Sequence, residues 1–179
     1  MKSSYNNKID FGDLISTFTF LKTPNKIVEF GILEGFSLTK FIENSDKKCV
    51  IEAFDLFDDF NGNHSNYDII NKFKKYDNVK IEKANLYEKL FEIEDNSVDI
   101  LHVDIANNGD TYEFIFKNGF DKLKKDGIII LEGGSVERDN IEWMLKYNKP
   151  KINPILKKYS DKYHIKTIGV MPSITIVKK

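Results

Sequence analysis

Four short runs that are apolar on both faces, each followed by a turn or a helical pattern, predict an α/β chain built as a Rossmann-like, doubly wound, mostly parallel sheet. A second observation predicts how that sheet ends. Tyr163–Met171 and Ile174–Val177 read as strands with no room for a helix between them, so they must form an antiparallel β-hairpin. The third observation is size. The chain has 179 residues, 41% of them hydrophobic, with no internal repeat and no Pro/Gly-rich linker. These values fit one domain over residues 1–179, with an N-terminal helical segment (1–24) ahead of a Rossmann-like core (25–179).

In chain order, Phe11 to Leu21 has the spacing of an amphipathic helix that stops before Pro24. Lys26–Phe30 is the first buried strand, and Ser37–Glu43 the helix after it. Cys49–Phe54 follows as the second strand, then a polar loop and a helix over Asn66–Tyr76. Val79-Lys80-Ile81 alternates more and predicts a weaker third strand. Val98–Ile105 is the fourth, followed by a helix over Thr111–Lys125, where Lys122, Lys124, Lys125 and Gly127 read as a helix stop. Ile128–Leu131 is the fifth strand, and Val136–Tyr147 reads as the helix between it and the hairpin.

Composition removes several classes of function. Of the 27 basic residues only Arg138 is an arginine, and the net charge is −1, so no nucleic-acid partner is expected. Cys49 is the only cysteine, which excludes an internal disulfide and a cysteine-based zinc site. No run approaches the length of a membrane span, and residues 1–7 lack the apolar core of a signal peptide. A cytoplasmic protein with no membrane partner is the expectation, and a homo-oligomer is compatible with it.

The most informative stretch is Lys26-Ile27-Val28-Glu29-Phe30-Gly31-Ile32-Leu33-Glu34-Gly35-Phe36-Ser37. A buried strand runs through Glu29 into one glycine, meets a second four residues on, and enters a helix whose first amides are free donors. Leu33 stands where dinucleotide binders carry a middle glycine, so a nicotinamide-dependent oxidoreductase is disfavoured. Asp55 then ends the second strand 20 residues after Gly35, placed to accept the hydroxyls of a ribose. Leu56 and Phe57 follow it, apolar and able to pack against an adenine face. Together these predict a site for a nucleoside-containing ligand.

In these residues the chain resembles class I S-adenosylmethionine-dependent methyltransferases, and among them the small O-methyltransferases of sugars and natural products. Glu29, Gly31, Gly35 and Ser37 match the family's first motif, and Ala53-Phe54-Asp55 its second. Val98–Asp104 with Gly109–Glu113, and Leu123–Glu132, are similar to the motifs of the fourth and fifth strands. The resemblance spans roughly residues 24 to 179. It implies one methyltransferase-like domain with S-adenosylmethionine as cofactor and a small polar acceptor, such as a sugar or glycan precursor, methylated on oxygen. Glu29 would neighbour the cofactor's amino-acid end, Gly31, Gly35 and Ser37 would line it, Asp55 would hold the ribose, and Asn85 would sit near the adenine. Asp104 would take the acceptor's proton. The alternative is a non-catalytic nucleoside-binding or assembly module that kept the fold.

Some relatives bind Mg²⁺ through acids ending the fourth and fifth strands. Asp104 and Glu132 occupy those ends, so the resemblance admits Mg²⁺ with a third ligand from Asn107, Asn108 or Asp110. It equally admits Asp104 as a metal-free base. Gly133-Gly134 after Glu132, and the long Ile105–Asn108 segment, depart from the family pattern. Arg138 reads either as a grip on an acidic group of the acceptor or as part of a surface ion-pair cluster with Glu137 and Asp139. His64, in the loop after Asp58, could cover the acceptor. His102 shares a strand face with Asp104 and reads as a core histidine.

Overall fold

The computed structural model describes residues 10–59 and 65–179. Asp10 caps the first helix, its carboxylate accepting the amides of Gly12 (2.8 Å) and Asp13 (3.2 Å), and α1 (Phe11–Lys22) ends at Thr23 just before Pro24. Beyond it, β1 (Lys26–Phe30), α2 (Phe36–Asn44), β2 (Val50–Asp55), α3 (Asn66–Phe73), β3 (Val79–Lys83), α4 (Leu86–Glu92), β4 (Val98–Val103) and α5 (Gly109–Asn118) alternate, α4 being a helix that the sequence pattern did not indicate. Then come β5 (Leu123–Glu132), α6 (Glu142–Lys146), α7 (Asn153–Tyr159) and the hairpin strands β6 (His164–Gly169) and β7 (Ser173–Lys178).

The seven strands form one sheet in the order β3-β2-β1-β4-β5-β7-β6. The first five are parallel, and β7 lies antiparallel between β5 and β6, Leu131 facing Thr175 and Thr167 facing Thr175. The predicted mixed sheet and its terminal hairpin are therefore both present. Alternate residues of the central strands feed two cores, as the period of a strand requires. Val28, Leu101 and Ile129 pack on one face with Tyr112 and Phe116 of α5. Ile27, Ile100 and Ile130 pack on the other with Leu38 and Phe41 of α2.

Two predicted helices are corrected. The one expected over Thr111–Lys125 stops at Asn118, and Leu123 already pairs with Val98 in the sheet. The register then jumps to Ile100 opposite Ile128, so Lys124–Gly127 form a bulge at the start of β5 rather than a helix end. Two of the lysines that suggested a last helical turn serve acids around the start of β4 instead, Lys122 with Asp95 (2.6 Å) and Lys124 with Asp99 (2.7 Å). The helix expected over Val136–Tyr147 is broken into a 3-10 turn (Arg138–Asn140) and α6, with Ile141 extended between them. The Asp139 carboxylate accounts for the break: it is buried and accepts the amides of Ile152 (2.6 Å) and Asn153 (2.9 Å) at the start of α7. Among the described residues no helix is long and apolar enough to cross a membrane.

Candidate active site

The strand order reverses between β1 and β4, and at that point a parallel sheet opens a crevice beyond its carboxyl ends. A cavity of about 760 Å³ lies there. Gly31 makes the crevice by letting two strand ends touch. Its φ is +92°, and a Cβ would stand 1.8 Å from the carbonyl oxygen of Asp104. Its own amide donates to Phe54 O (2.8 Å), while Asp104 N–H donates to Phe30 O (2.8 Å). No side chain fits, so this glycine is a steric requirement of the motif.

Asp55 holds the loop that follows. One carboxylate oxygen accepts the amides of Ile32 (2.6 Å) and Leu33 (3.2 Å), and the other accepts Phe57 N–H (2.7 Å). The side chain is 7% exposed and still lines the cavity. Leu33, carried at φ +48°, and Phe36 project at the cavity's edge. Leu56 and Asn85 lie on the same wall, and Asn85 also caps α4 by accepting Tyr87 N–H (3.1 Å). The expectation that Phe57 joins them is corrected. Phe57 is 1% exposed and buried in the core with Ile69 and Phe73, because its φ of +50° and the bond of its amide to Asp55 turn the chain inward after Leu56.

Behind the wall lies an ionisable pair. Glu29 and His102 face each other in register across β1 and β4, with Glu29 Oε1 2.9 Å from His102 Nδ1. Glu29 is fully buried and accepts the Ser37 hydroxyl as well. Burial alone would push the imidazole pKa down. The hydrogen-bonded Glu29 carboxylate outweighs it and holds the pKa above the ordinary value of a histidine, with Asp104 adding to the same effect. Ser37 and His102 line the cavity; Glu29 does not. Gly35 is also off the wall, starting α2 at φ +78° against the Phe73 ring.

Asp104 projects into the cavity from the end of β4, two residues beyond His102. The residue is exposed to solvent at the mouth, while its carboxyl group is desolvated by the surrounding wall. Burial raises its pKa to about 6, with Glu132 and Glu29 adding to the rise and His102 and Arg138 opposing it. Among the described residues its carboxylate accepts no hydrogen bond, which sets it apart from Glu29, Asp55 and Glu132.

Glu132, ending β5, also lines the cavity, with 26% of its side chain exposed. Both of its oxygens are held by Arg138, Oε1 by Nε (3.0 Å) and Oε2 by Nη2 (3.2 Å), and Nη2 also donates to Asn107 O (3.1 Å). Arg138 is 6% exposed and stacks beside Trp143. This corrects both sequence readings of Arg138: it does not line the cavity, and its partner is neither Glu137 nor Asp139. The paired glycines after β5 bring it back. Gly133 (φ +93°) and Gly134 (φ +104°) reverse the chain so that residue 138 returns to the strand end.

The arrangement does not fit Mg²⁺. Among the described residues no three His, Cys, Asp or Glu side chains converge on a metal position, and Glu132 already neutralises a guanidinium. Asn108 Oδ1 is spent capping α5 on Asp110 N–H (2.8 Å). Asn107 Oδ1 is buried without a partner but lies behind the strand ends, its amide group tied to Val103 O (2.9 Å) and Glu132 O (3.0 Å). These contacts do not assemble the metal site that the sequence admitted.

One cavity thus joins Gly31, Ser37, Asp55, Leu56, Asn85, Asp104 and Glu132. Glu29, Gly35, Phe57 and Arg138 support its walls from behind, and His64 lies outside the described residues. Phe11 of α1 also lines the far side, where sequence reasoning missed Trp143 of α6, Lys149 and the hairpin residues Pro172 to Ile174. Those residues are far apart in sequence and carry no shared motif. His102 had a signal, its i, i+2 spacing from Asp104.

The family described as a methyltransferase domain matches residues 28–132, more than half of the chain. No curated protein sequence matches it. Among solved structures, the chain is similar to SAH-bound methyltransferase PaMTH1 of Podospora anserina (21% identity, 99% of this chain and 79% of that one, TM-score 0.64). It is also similar to an O-methyltransferase of Bacillus cereus in complex with SAH (16% identity, 99% and 84%, TM-score 0.68). A third is the O-methyltransferase TomG of Streptomyces achromogenes, involved in tomaymycin synthesis and solved with SAM (12% identity, 95% and 80%, TM-score 0.70). At these identities the likeness is one of fold.

Proposed function

The chain belongs to the methyltransferase-domain family, and on that footing we propose that it is an S-adenosylmethionine-dependent O-methyltransferase of a small polar acceptor, with Asp104 as the base. The observation that carries the reading is Asp104 itself. It is a carboxylate in the cavity with no partner among the described residues, beside the glycine loop where β1 and β4 touch, and burial lifts its pKa to about 6. A base with that value is ionised at neutral pH yet basic enough to accept a proton as an acceptor hydroxyl becomes an ether.

The cavity suits the cofactor in size and in the chemistry of its wall. Its volume of about 760 Å³ is within the range of small-molecule sites. Asp55, Leu56 and Asn85 would receive the nucleoside end, and Gly31 and Ser37, backed by Glu29, the amino-acid end. When bound, S-adenosylmethionine supplies a methyl group on a sulfonium. Asp104 orients the acceptor hydroxyl by accepting its hydrogen bond and takes its proton as the oxygen–methyl bond forms. Mg²⁺ has no part in this reading. The far wall is lined by Trp143, Lys149, Asn108 and Glu132, a mixed setting that suits the hydroxyls of a sugar or glycan precursor.

Thermal unfolding with S-adenosylhomocysteine tests the cofactor half of the proposal. At a hundredfold excess over Kd the ligand contributes about 2.7 kcal/mol, which raises the Tm of a chain this long by about 5–10 °C. An unchanged Tm at millimolar ligand removes the cofactor assignment. An Asp104→Asn variant that binds the ligand normally and keeps full turnover removes the base.

A further inference from the structure

We propose that Arg138 is a built-in cation that closes the ends of β4 and β5 to divalent metals, making this a site that works without one. The inference deepens the methyltransferase reading, but its evidence is local. A metal held between Asp104 and Glu132 needs both carboxylates as ligands, and a hard cation draws its affinity from their combined charge. The Arg138 fork spans both Glu132 oxygens at 3.0 and 3.2 Å and brings a full positive charge against them. The two acids and the arginine together carry a net charge of only about −1 when all are ionised, and among the described residues no third His, Cys, Asp or Glu joins them.

The position of the guanidinium is built rather than incidental. Gly133 and Gly134 turn the chain back in a conformation that other residues rarely adopt. A Cβ on Gly133 would meet Arg138 Cγ at 3.2 Å, so the turn and the arginine are packed as a unit. Ser135 Oγ accepts Arg138 N–H (3.1 Å), Asn107 O accepts Nη2, and the Trp143 ring lies 5.6 Å from the guanidinium carbon. Lysine could supply the charge but not this planar two-point grip.

The chemical consequence is a division of labour. A metal in the cavity would touch the acceptor oxygen directly and stabilise its anion. Arg138 does not line the cavity, so it acts through Glu132 and is a positioning residue. It fixes Glu132 as a hydrogen-bond acceptor at the cavity wall and leaves proton removal to Asp104 alone.

The test is Mn²⁺ binding, followed by the loss of free-ion electron paramagnetic resonance signal, in the intact chain with and without S-adenosylhomocysteine. The wild type should take up no Mn²⁺ at micromolar concentrations. Arg138→Met should gain a site at least tenfold tighter, and adding Asp104→Asn should remove it again. If Arg138→Met does not fold, Arg138→Gln retains a donor toward Glu132 while deleting the charge and should show the same gain. Stoichiometric Mn²⁺ in the wild type that disappears in Asp104→Asn overturns the proposal, and so does a folded Arg138 variant with no new site. Neither outcome depends on turnover. Failure of the ligand-binding test above, with these results intact, would retire the methyltransferase reading and leave the metal-exclusion inference standing.

Discussion

Replacing Asp55 by alanine tests whether the strand-end acid is part of the fold as well as of the ligand site. The carboxylate accepts three main-chain amides, those of Ile32, Leu33 and Phe57, at 2.6, 3.2 and 2.7 Å. Hydrogen bonds to a charged group contribute roughly 1.5–3 kcal/mol each, but three bonds on one side chain do not add. Leu33 is exposed, so its amide can turn to water. Ile32 and Phe57 are buried, and stranding their amides costs about 1–3 kcal/mol each. Asp55→Ala is therefore expected to lose about 2–5 kcal/mol of stability, a Tm fall of roughly 5–20 °C for a chain of this length. Asp55→Asn keeps one acceptor oxygen and should fall between the two. Urea unfolding followed by circular dichroism measures the loss, hydrogen exchange at Ile32 and Phe57 locates it, and calorimetry with S-adenosylhomocysteine reports affinity on the protein that remains folded. An alanine variant within about 0.5 kcal/mol of the wild type, with both amides still protected, would refute the staple. Loss of stability with unchanged affinity would retain the staple and dismiss the ribose contact.

Asp104 sets a pH dependence: turnover should rise with pH and level off above about 6, and Asp104→Asn should abolish the rise. Because its folded pKa is raised, this carboxyl favours the folded chain below the pKa of the unfolded state and withdraws that stability as the pH climbs through about 6, a trend that Asp104→Asn should erase from a Tm-versus-pH series. Gly31→Ala places a Cβ 1.8 Å from Asp104 O at a positive φ, so it should cost at least about 2–3 kcal/mol and part the ends of β1 and β4. A Gly31→Ala variant as stable as the wild type and equally active would show that the two strand ends are not held in contact.

What was legible in the sequence was what burial on both faces dictates. Val28, Ile100 and Ile130 sit in runs that could only be central strands, and the short link at Pro172-Ser173 could only be a hairpin. The short helices α4 and α7 gave little signal because seven residues bury only one or two positions each, Leu86 and Leu90 in the first and Leu156 in the second. The start of β5 was misread because lysines at a helix end and lysines paired with Asp95 and Asp99 around the start of the neighbouring strand look alike along the chain. Arg138 was misread for a related reason. Its nearest acids in sequence are Glu137 and Asp139, yet the two left-handed glycines carry it back to Glu132, and Asp139 faces away toward α7.

The four acids of the site show why position alone did not assign their roles. Glu29, Asp55, Asp104 and Glu132 all lie within one residue of a strand end, and the residue types give no reason to separate them. The fold separates them by partner. Glu29 is matched to an imidazole by the register of β1 with β4, Asp55 to three amides by the turn that Gly31 permits, and Glu132 to a guanidinium by the reversal at Gly133-Gly134. Each partner engages its acid in hydrogen bonds inside the fold. Asp104 receives no such partner among the described residues, and the charges of Glu29 and Glu132 bear on it across the cavity. Its raised pKa comes first from desolvation, with Glu132 and Glu29 adding to the rise and His102 and Arg138 opposing it. For that reason, disrupting the Arg138–Glu132 pair should be felt at Asp104 even though Arg138 never reaches the cavity.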